Sequence, residues 1–157
     1  MAAHPGNGKT ITYMRTIFVV LAGLSLALLT GCTTVKLADA DTIQGTWKGQ
    51  ELRAGQVTYS WLSIVGRELE FRSADRKEWY KGTFSLQENT DPKQLTAVII
   101  QCPEPQLVGQ SVAAIYKLET DAEGHGRLVI TGNAPGNPQR PTGLGDRQAR
   151  QIIFTRD

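Results

Sequence analysis

Histidine and cysteine are scarce in this chain, which has two of each among 157 residues. One histidine lies close to the N-terminus, so His125 is the only imidazole in the remainder of the sequence. One histidine and one free cysteine cannot supply the three or four nitrogen and sulfur ligands of a zinc site. Hydrolysis by a nucleophile needs a base within hydrogen-bond reach, and His125 lies between two glycines in a predicted turn. We therefore expect no metal, no cofactor, no catalytic residue and no enzymatic activity.

The part of the chain that follows Cys32 also lacks an excess of charge of either sign. Lys9 and Arg15 are the only charged residues before Cys32, so 15 of the 17 basic side chains remain after it, against 15 acidic ones. A domain that binds nucleic acid usually presents a basic face or stripe. The balance argues against nucleic acid as a partner.

The apolar segment near the N-terminus is too short to cross a bilayer. It runs from Ile17 to Leu29 without a charge or a proline, whereas a spanning helix needs about 20 residues. A basic Arg15 precedes it, and a small Thr-Gly pair and then Cys32 follow it. This pattern predicts an export signal over residues 1–31, with Met14 as the expected start of translation.

A cysteine directly after such a segment is typical of a lipoprotein signal. We expect Cys32 to carry acyl chains that attach the protein to a membrane, with residues 32–41 as a tether and 42–157 as the folded domain. Thr33, and not an aspartate, follows the cysteine, and by resemblance to lipoprotein sorting this predicts the cell envelope, at the outer membrane facing the periplasm. With Cys32 acylated, Cys102 has no partner, so no intrachain disulfide is expected.

Helical periodicity is absent beyond residue 42, where short runs of Val, Ile, Thr and aromatics are broken by turn residues about every ten positions. Gly55 and Gly66 supply the positive φ that hairpins need, which indicates antiparallel neighbours. Because closure removes exposed sheet edges, we predict an all-β fold, an antiparallel meander β-barrel of about eight strands. A long irregular loop is expected over residues 132–146. The predicted strands cover residues 45–52, 57–65, 68–73, 78–86, 95–100, 111–118, 126–131 and 149–155.

Five short motifs in order resemble an uncharacterised lipocalin-like domain family with a Gln-Gly-Thr-Trp signature, typical of exported proteins and lipoproteins of planctomycete-type bacteria. The resemblance covers about residues 41–157 and implies a lipocalin-like fold, with no established activity and no catalytic residue. A glycine-rich stretch at 143–146 departs from the family pattern. The motifs are Ile43-Gln44-Gly45-Thr46-Trp47-Lys48, Gly82-Thr83-Phe84-Ser85-Leu86, Asp91-Pro92-Lys93, Ala114-Ile115-Tyr116-Lys117-Leu118 and Arg140-Pro141-Thr142.

The same resemblance suggests a structural role for the first tryptophan. Lipocalins open with Gly-x-Trp, in which the indole closes the floor of the barrel and is often covered by an arginine from the last strand. Gly45-Thr46-Trp47 is similar to this motif. Trp47 is therefore expected to plug the barrel, with Arg150 or Arg156 stacked on it.

Aromatic residues form the one suggestive cluster, because seven of the nine that follow Cys32 lie between Trp47 and Phe84. An eight-stranded barrel either fills its interior with side chains or holds one small ligand. A monomeric protein that binds a small apolar or amphipathic molecule is one interpretation. The alternative is a packed barrel that serves as a structural or protein-interaction module, with the 132–146 loop as contact surface. The candidate ligand-binding residues are Tyr59, Trp61, Trp79, Tyr80 and Tyr116.

Overall fold

The computed structural model describes residues 38–53 and 55–156. The predicted signal segment, Cys32 and the first part of the tether lie outside the described residues. The elements are a short helix α1 (Asp39–Thr42), the strands β1 (Gly45–Arg53), β2 (Gln56–Val65), β3 (Glu68–Ser73), β4 (Trp79–Gln87) and β5 (Lys93–Gln101), a 3-10 turn (Pro105–Leu107), and the strands β6 (Ser111–Thr120), β7 (Gly126–Gly132) and β8 (Arg150–Arg156).

The strands form a closed barrel in which each one pairs with the next along the chain, and β8 returns to pair with β1. All eight pairings are antiparallel, and the closing pair sets Gly49 opposite Phe154. The predicted eight-stranded antiparallel meander barrel is confirmed. Because every strand is paired on both sides within it, the compact unit Val35–Asp157 contains the pairings and the core that it needs to fold by itself.

Glycines stand where the backbone turns or where two elements approach closely. Gly55 and Gly66 have φ values of 79° and 60°, as the hairpin prediction requires. Gly49 serves a different purpose, because a Cβ there would lie 2.6 Å from the ring of Phe154 and would clash with the hydroxyl of Ser60. The absence of a side chain at Gly49 lets the Phe154 ring cross the barrel at the β1–β8 closure.

Strand alternation sends one set of side chains into the barrel. The buried hydrophobic residues of this core come from the strands and from Ile43, which directly follows α1: Ile43, Trp47, Leu62, Ile64, Phe71, Phe84, Leu95, Ala97, Ala114, Tyr116, Leu128, Ile152 and Phe154.

The loop between β7 and β8 covers part of the outer barrel surface. Ile115 and Thr131 have the opposite parity to the core residues of β6 and β7, yet both are fully buried. The loop bonds to this outer face, since the Thr131 hydroxyl donates to the carbonyl of Leu144 at 3.3 Å. The predicted irregular loop is thus present, and it packs on the barrel wall.

The folded domain begins earlier than the sequence suggested. The predicted tether runs to residue 41, but Asp39 is only 5% exposed and α1 belongs to the barrel unit. The backbone N–H of Asp39 donates to a Glu88 carboxylate oxygen at 3.0 Å.

Within residues 38–53 and 55–156, no helix has both the length and the apolar character that crossing a bilayer demands.

Candidate functional site

One end of the barrel, here called the floor, is closed by α1 and Trp47. The indole is completely buried, and its Nε1–H donates to the carbonyl of Ile43 at 2.8 Å. The guanidinium of Arg156 lies 4.5 Å from the ring centroid and donates through Nη1 to the carbonyl of Gln44 at 2.6 Å. The expected stacking of a last-strand arginine on Trp47 is confirmed, and Arg156 is the residue that provides it.

A buried polar cluster joins α1 to the floor. The Tyr116 hydroxyl donates to Oδ2 of Asp39 at 2.8 Å, and Lys93 forms an ion pair with the same oxygen. Burial, reinforced by the hydrogen bond and charge of Asp39, raises the pKa of Tyr116, so its hydroxyl keeps its proton as a donor. Tyr116 therefore holds α1 against the barrel and does not border the cavity described next.

A cavity of about 440 Å³ occupies the barrel interior above the floor. Its walls are mainly apolar, and the small side chains of Ala97 and Ala114 at two wall positions leave space inside the barrel. Apolar side chains from seven strands, β2 to β8, face it: Leu62, Ile64, Leu69, Phe71, Phe84, Leu95, Ile99, Val112, Ile130, Ile152 and Phe154.

The opposite end of the barrel, here called the mouth, carries the polar part of the cavity lining. Arg150 belongs to this part of the lining, and its Nε donates to Oε2 of Glu51 at 2.9 Å. Its Nη1 donates to Oε1 of Glu78 at 2.6 Å, and the guanidinium lies 5.3 Å from the ring centroid of Phe71. Although burial opposes the charged form, bonds to the two carboxylates raise the pKa of Arg150, so it remains a cation.

Tyr80 is the predicted ligand-binding residue that the structure does place on the cavity. Its ring stacks on Phe71 with centroids 6.1 Å apart, and its hydroxyl donates to Glu78 at 3.4 Å. Burial, followed by the charges of Glu78 and Glu104, raises the pKa of Tyr80. Tyr80 thus presents a protonated hydroxyl at the mouth.

The prediction that Tyr59, Trp61 and Trp79 line a ligand pocket inside the barrel is wrong. Tyr59 and Trp61 share one face of β2, as alternation predicts, but this is the outer face, and each is 42% exposed. Trp79 also faces outward and borders a second pocket beside the exposed Arg72 and Arg76. Of the five candidates, the structure brings one to the mouth and one to the floor, and leaves three on the outer surface.

Glu51 and Glu78 were not among the predicted site residues, and Arg150 was predicted only as an alternative to Arg156 on Trp47, whereas it lies against Phe71. A signal for Arg150 is present in β8, because alternation gives it the inward parity of the apolar Ile152 and Phe154. A charged residue with inward parity needs a buried partner. Such an arginine therefore points to acidic residues near the same end of neighbouring strands.

The β6–β7 turn contains the described group whose composition comes nearest to a metal site. Ligand atoms of Asp121, Glu123 and His125 lie within 4.8 Å of one another, and the residues are largely exposed. One oxygen of Asp121 already accepts the backbone N–H of His125 at 2.7 Å and that of Glu123 at 3.1 Å. These bonds identify the carboxylate as a stabiliser of its own turn.

Comparisons of the chain with protein-family models, with curated proteins and with solved structures find no match. The fold class is defined by the barrel itself, an antiparallel eight-stranded closed sheet. Membership of the lipocalin-like family with the Gln-Gly-Thr-Trp signature stays a prediction that depends on the sequence motifs.

Proposed function

We propose that this protein binds a small apolar or amphipathic molecule inside its barrel and is held at the cell envelope by acyl chains on Cys32. The proposal of ligand binding is supported by the cavity of about 440 Å³, which has apolar walls and a polar mouth. Ligand sites have this character and volumes of about 300–1,000 Å³. At ~30 Å³ for each water-sized group, the space suits a ligand of roughly 10 to 15 non-hydrogen atoms.

The choice of wall residues favours a binding site over a packed interaction module. Interiors built only for stability reach the packing density of organic crystals and leave few voids larger than a water. Here Ala97 and Ala114, two of the smallest side chains, face the cavity from the adjacent strands β5 and β6. The 132–146 loop, which is the contact surface in the alternative, is bonded to the barrel wall through the carbonyl of Leu144 and the side chain of Arg140.

The proposed anchoring depends on sequence alone. The apolar segment that ends at Leu29 and the cysteine three residues later form the lipoprotein pattern. Each buried CH₂ of an acyl chain contributes about 0.8 kcal/mol, so two or three long chains hold a protein on a membrane.

Titration of the unit Val35–Asp157 with the uncharged dye N-phenyl-1-naphthylamine tests the cavity. Burying about 200 Å² of dye surface at roughly 25 cal/mol per Å² gains about 5 kcal/mol before the cost of lost freedom. We therefore expect saturable fluorescence enhancement with a Kd in the micromolar range or weaker.

Two variants locate the bound dye. Ala97→Phe places a ring inside the cavity and is expected to weaken binding at least tenfold, while Thr83→Phe places the same ring on the exposed outer face and leaves the Kd unchanged. Circular dichroism checks that both barrels fold, and Ala114→Leu is a milder replacement for Ala97→Phe. Binding that is absent in the parent protein, or equal in all variants, contradicts the proposal.

A further inference from the structure

We infer that the ligand of this cavity has an uncharged polar end, such as a hydroxyl or carbonyl group, and is not a fatty acid or another anionic amphiphile. The inference rests on the proposed function, because it concerns the polar end of the molecule that the barrel binds. It follows from the ion pairs that the cations at the mouth already form with neighbouring carboxylates.

Arg150 is the cation that faces the cavity most directly, and a lone guanidinium in an apolar cavity would attract a carboxylate. Here Nε and Nη2 both contact Oε2 of Glu51, at 2.9 and 2.8 Å, while Nη1 contacts Glu78 at 2.6 Å. The ring of Phe71 packs near the guanidinium. Arg150 is thus held by two carboxylates, so an entering anion meets more negative than positive charge at this point.

Lys81 is the other cation along the cavity lining. Its Nζ lies 3.6 Å from Oε2 of Glu70, on the outer side of the neighbouring strand β3. The negative charge of Glu104 also reaches the mouth, where it acts on Tyr80. Within the described residues, each cation of the lining is therefore paired with at least one carboxylate, and an anionic group gains no unshared positive partner.

The remaining polar side chains of the lining are uncharged, namely the Tyr80 hydroxyl and two amides, and such groups suit a neutral ligand group. Asn133 and Gln148 border the cavity beyond the ends of β7 and β8. The Asn133 Nδ2 group donates to the carbonyl of Gln139 at 2.7 Å, and this bond fixes the side chain while its oxygen remains an acceptor. Gln148 offers both a donor and an acceptor. A hydroxyl, which donates and accepts, is complementary to such groups.

Calorimetric titration with two probes of equal chain length tests the inference in the unit Val35–Asp157 at pH 8. We expect 1-decanol to bind and decanoate to bind at least tenfold more weakly. Decanoate that binds as tightly as 1-decanol overturns the inference and leaves the proposed function standing. If neither probe binds, the inference is overturned, and the proposed function is refuted with it only when N-phenyl-1-naphthylamine also fails to bind.

A charge-neutralised variant provides a gain-of-function test. Glu51→Gln combined with Glu78→Gln leaves Arg150 without a carboxylate partner, so decanoate affinity is expected to rise at least tenfold. The control combines Glu119→Gln with Glu123→Gln, which changes the net charge equally at the opposite end of the barrel.

The affinity for 1-decanol measures whether each variant barrel is intact. We expect this affinity to change less than threefold both in the double variant at the mouth and in the control. If the double variant at the mouth does not fold, Glu78→Gln alone replaces it, with a smaller expected gain. An intact variant with no gain for decanoate, or an equal gain in the control, overturns the inference.

Discussion

At the residue scale, Trp47 combines three stabilising contributions in one side chain. Its ring is completely buried, its only polar group is satisfied by the carbonyl of Ile43, and Arg156 covers its face. The contact with Ile43 also fixes the chain that leads from α1 into β1. Loss of the ring therefore opens a cavity and weakens the attachment of α1 to the floor.

We predict that Trp47→Ala lowers the free energy of unfolding by about 3 to 5 kcal/mol. This loss is comparable with half of the stability of a typical small domain, which is about 5 to 15 kcal/mol. Trp61→Ala is the matched control, because Trp61 lies on the outer face, and it is expected to cost less than about 1 kcal/mol. Urea unfolding of the two variants measures both values. Equal midpoints for Trp47→Ala and the parent protein would refute the structural role.

At the residue scale, the sequence predicted the position of Trp47 but not the orientation of Tyr59 and Trp61. The motif that contains Gly45 and Trp47 correctly indicated the plug, through its resemblance to the Gly-x-Trp opening of lipocalins. The sequence of β2 alone could not decide whether Tyr59 and Trp61 face the barrel interior or the solvent, since both faces of this strand are apolar. Their cross-strand neighbours carry the missing signal: Lys48 lies opposite Trp61, and Arg72 lies opposite it on the other side. Polar neighbours on both sides identify an outer face.

At the element scale, the loop between β7 and β8 depends on Arg140 for its attachment to the barrel. Its Nη1 donates to the carbonyls of Leu95 and Ala114, and its Nη2 donates to the Thr96 hydroxyl at 2.9 Å. One side chain therefore ties the loop to β5 and β6 together. The predicted positions of the eight strands required only local alternation and turns, whereas this attachment joins residues 26 to 45 positions apart and has no local pattern.

We predict that Arg140→Ala releases the loop and lowers the free energy of unfolding by about 1.5 to 3 kcal/mol, the range for hydrogen bonds to charged groups. Hydrogen exchange is expected to accelerate over residues 133–149 and on the outer side of β6 near Ile115. Arg147→Ala is the control, because Arg147 is exposed and lies in the same loop. If both variants exchange as slowly as the parent protein, Arg140 does not hold the loop.

At the scale of the whole molecule, the barrel and the anchor impose separate requirements on the chain. The closed sheet pairs every strand on both sides and leaves no strand edge for pairing with another protein. Attachment to a membrane is proposed to come from acyl chains on Cys32, which lies outside the described residues. The two cysteines differ in this respect: Cys102 is half-buried, and its thiol contacts the carbonyl of Glu104 at 3.0 Å within the folded unit.

We predict that the full-length protein, expressed in a bacterium with two membranes, floats with the outer-membrane fraction and incorporates labelled palmitate. Cys32→Ser removes the thiol that accepts the lipid, so this variant is expected to lose the label and to leave the outer-membrane fraction. Cys102→Ser keeps Cys32 and is expected to behave as the parent protein does, which separates acylation from a general effect of losing a thiol. A Cys32→Ser protein that remains labelled and still floats with the outer membrane would exclude Cys32 as the lipid-attachment residue, because about 0.8 kcal/mol per buried CH₂ could then not come from chains at that position.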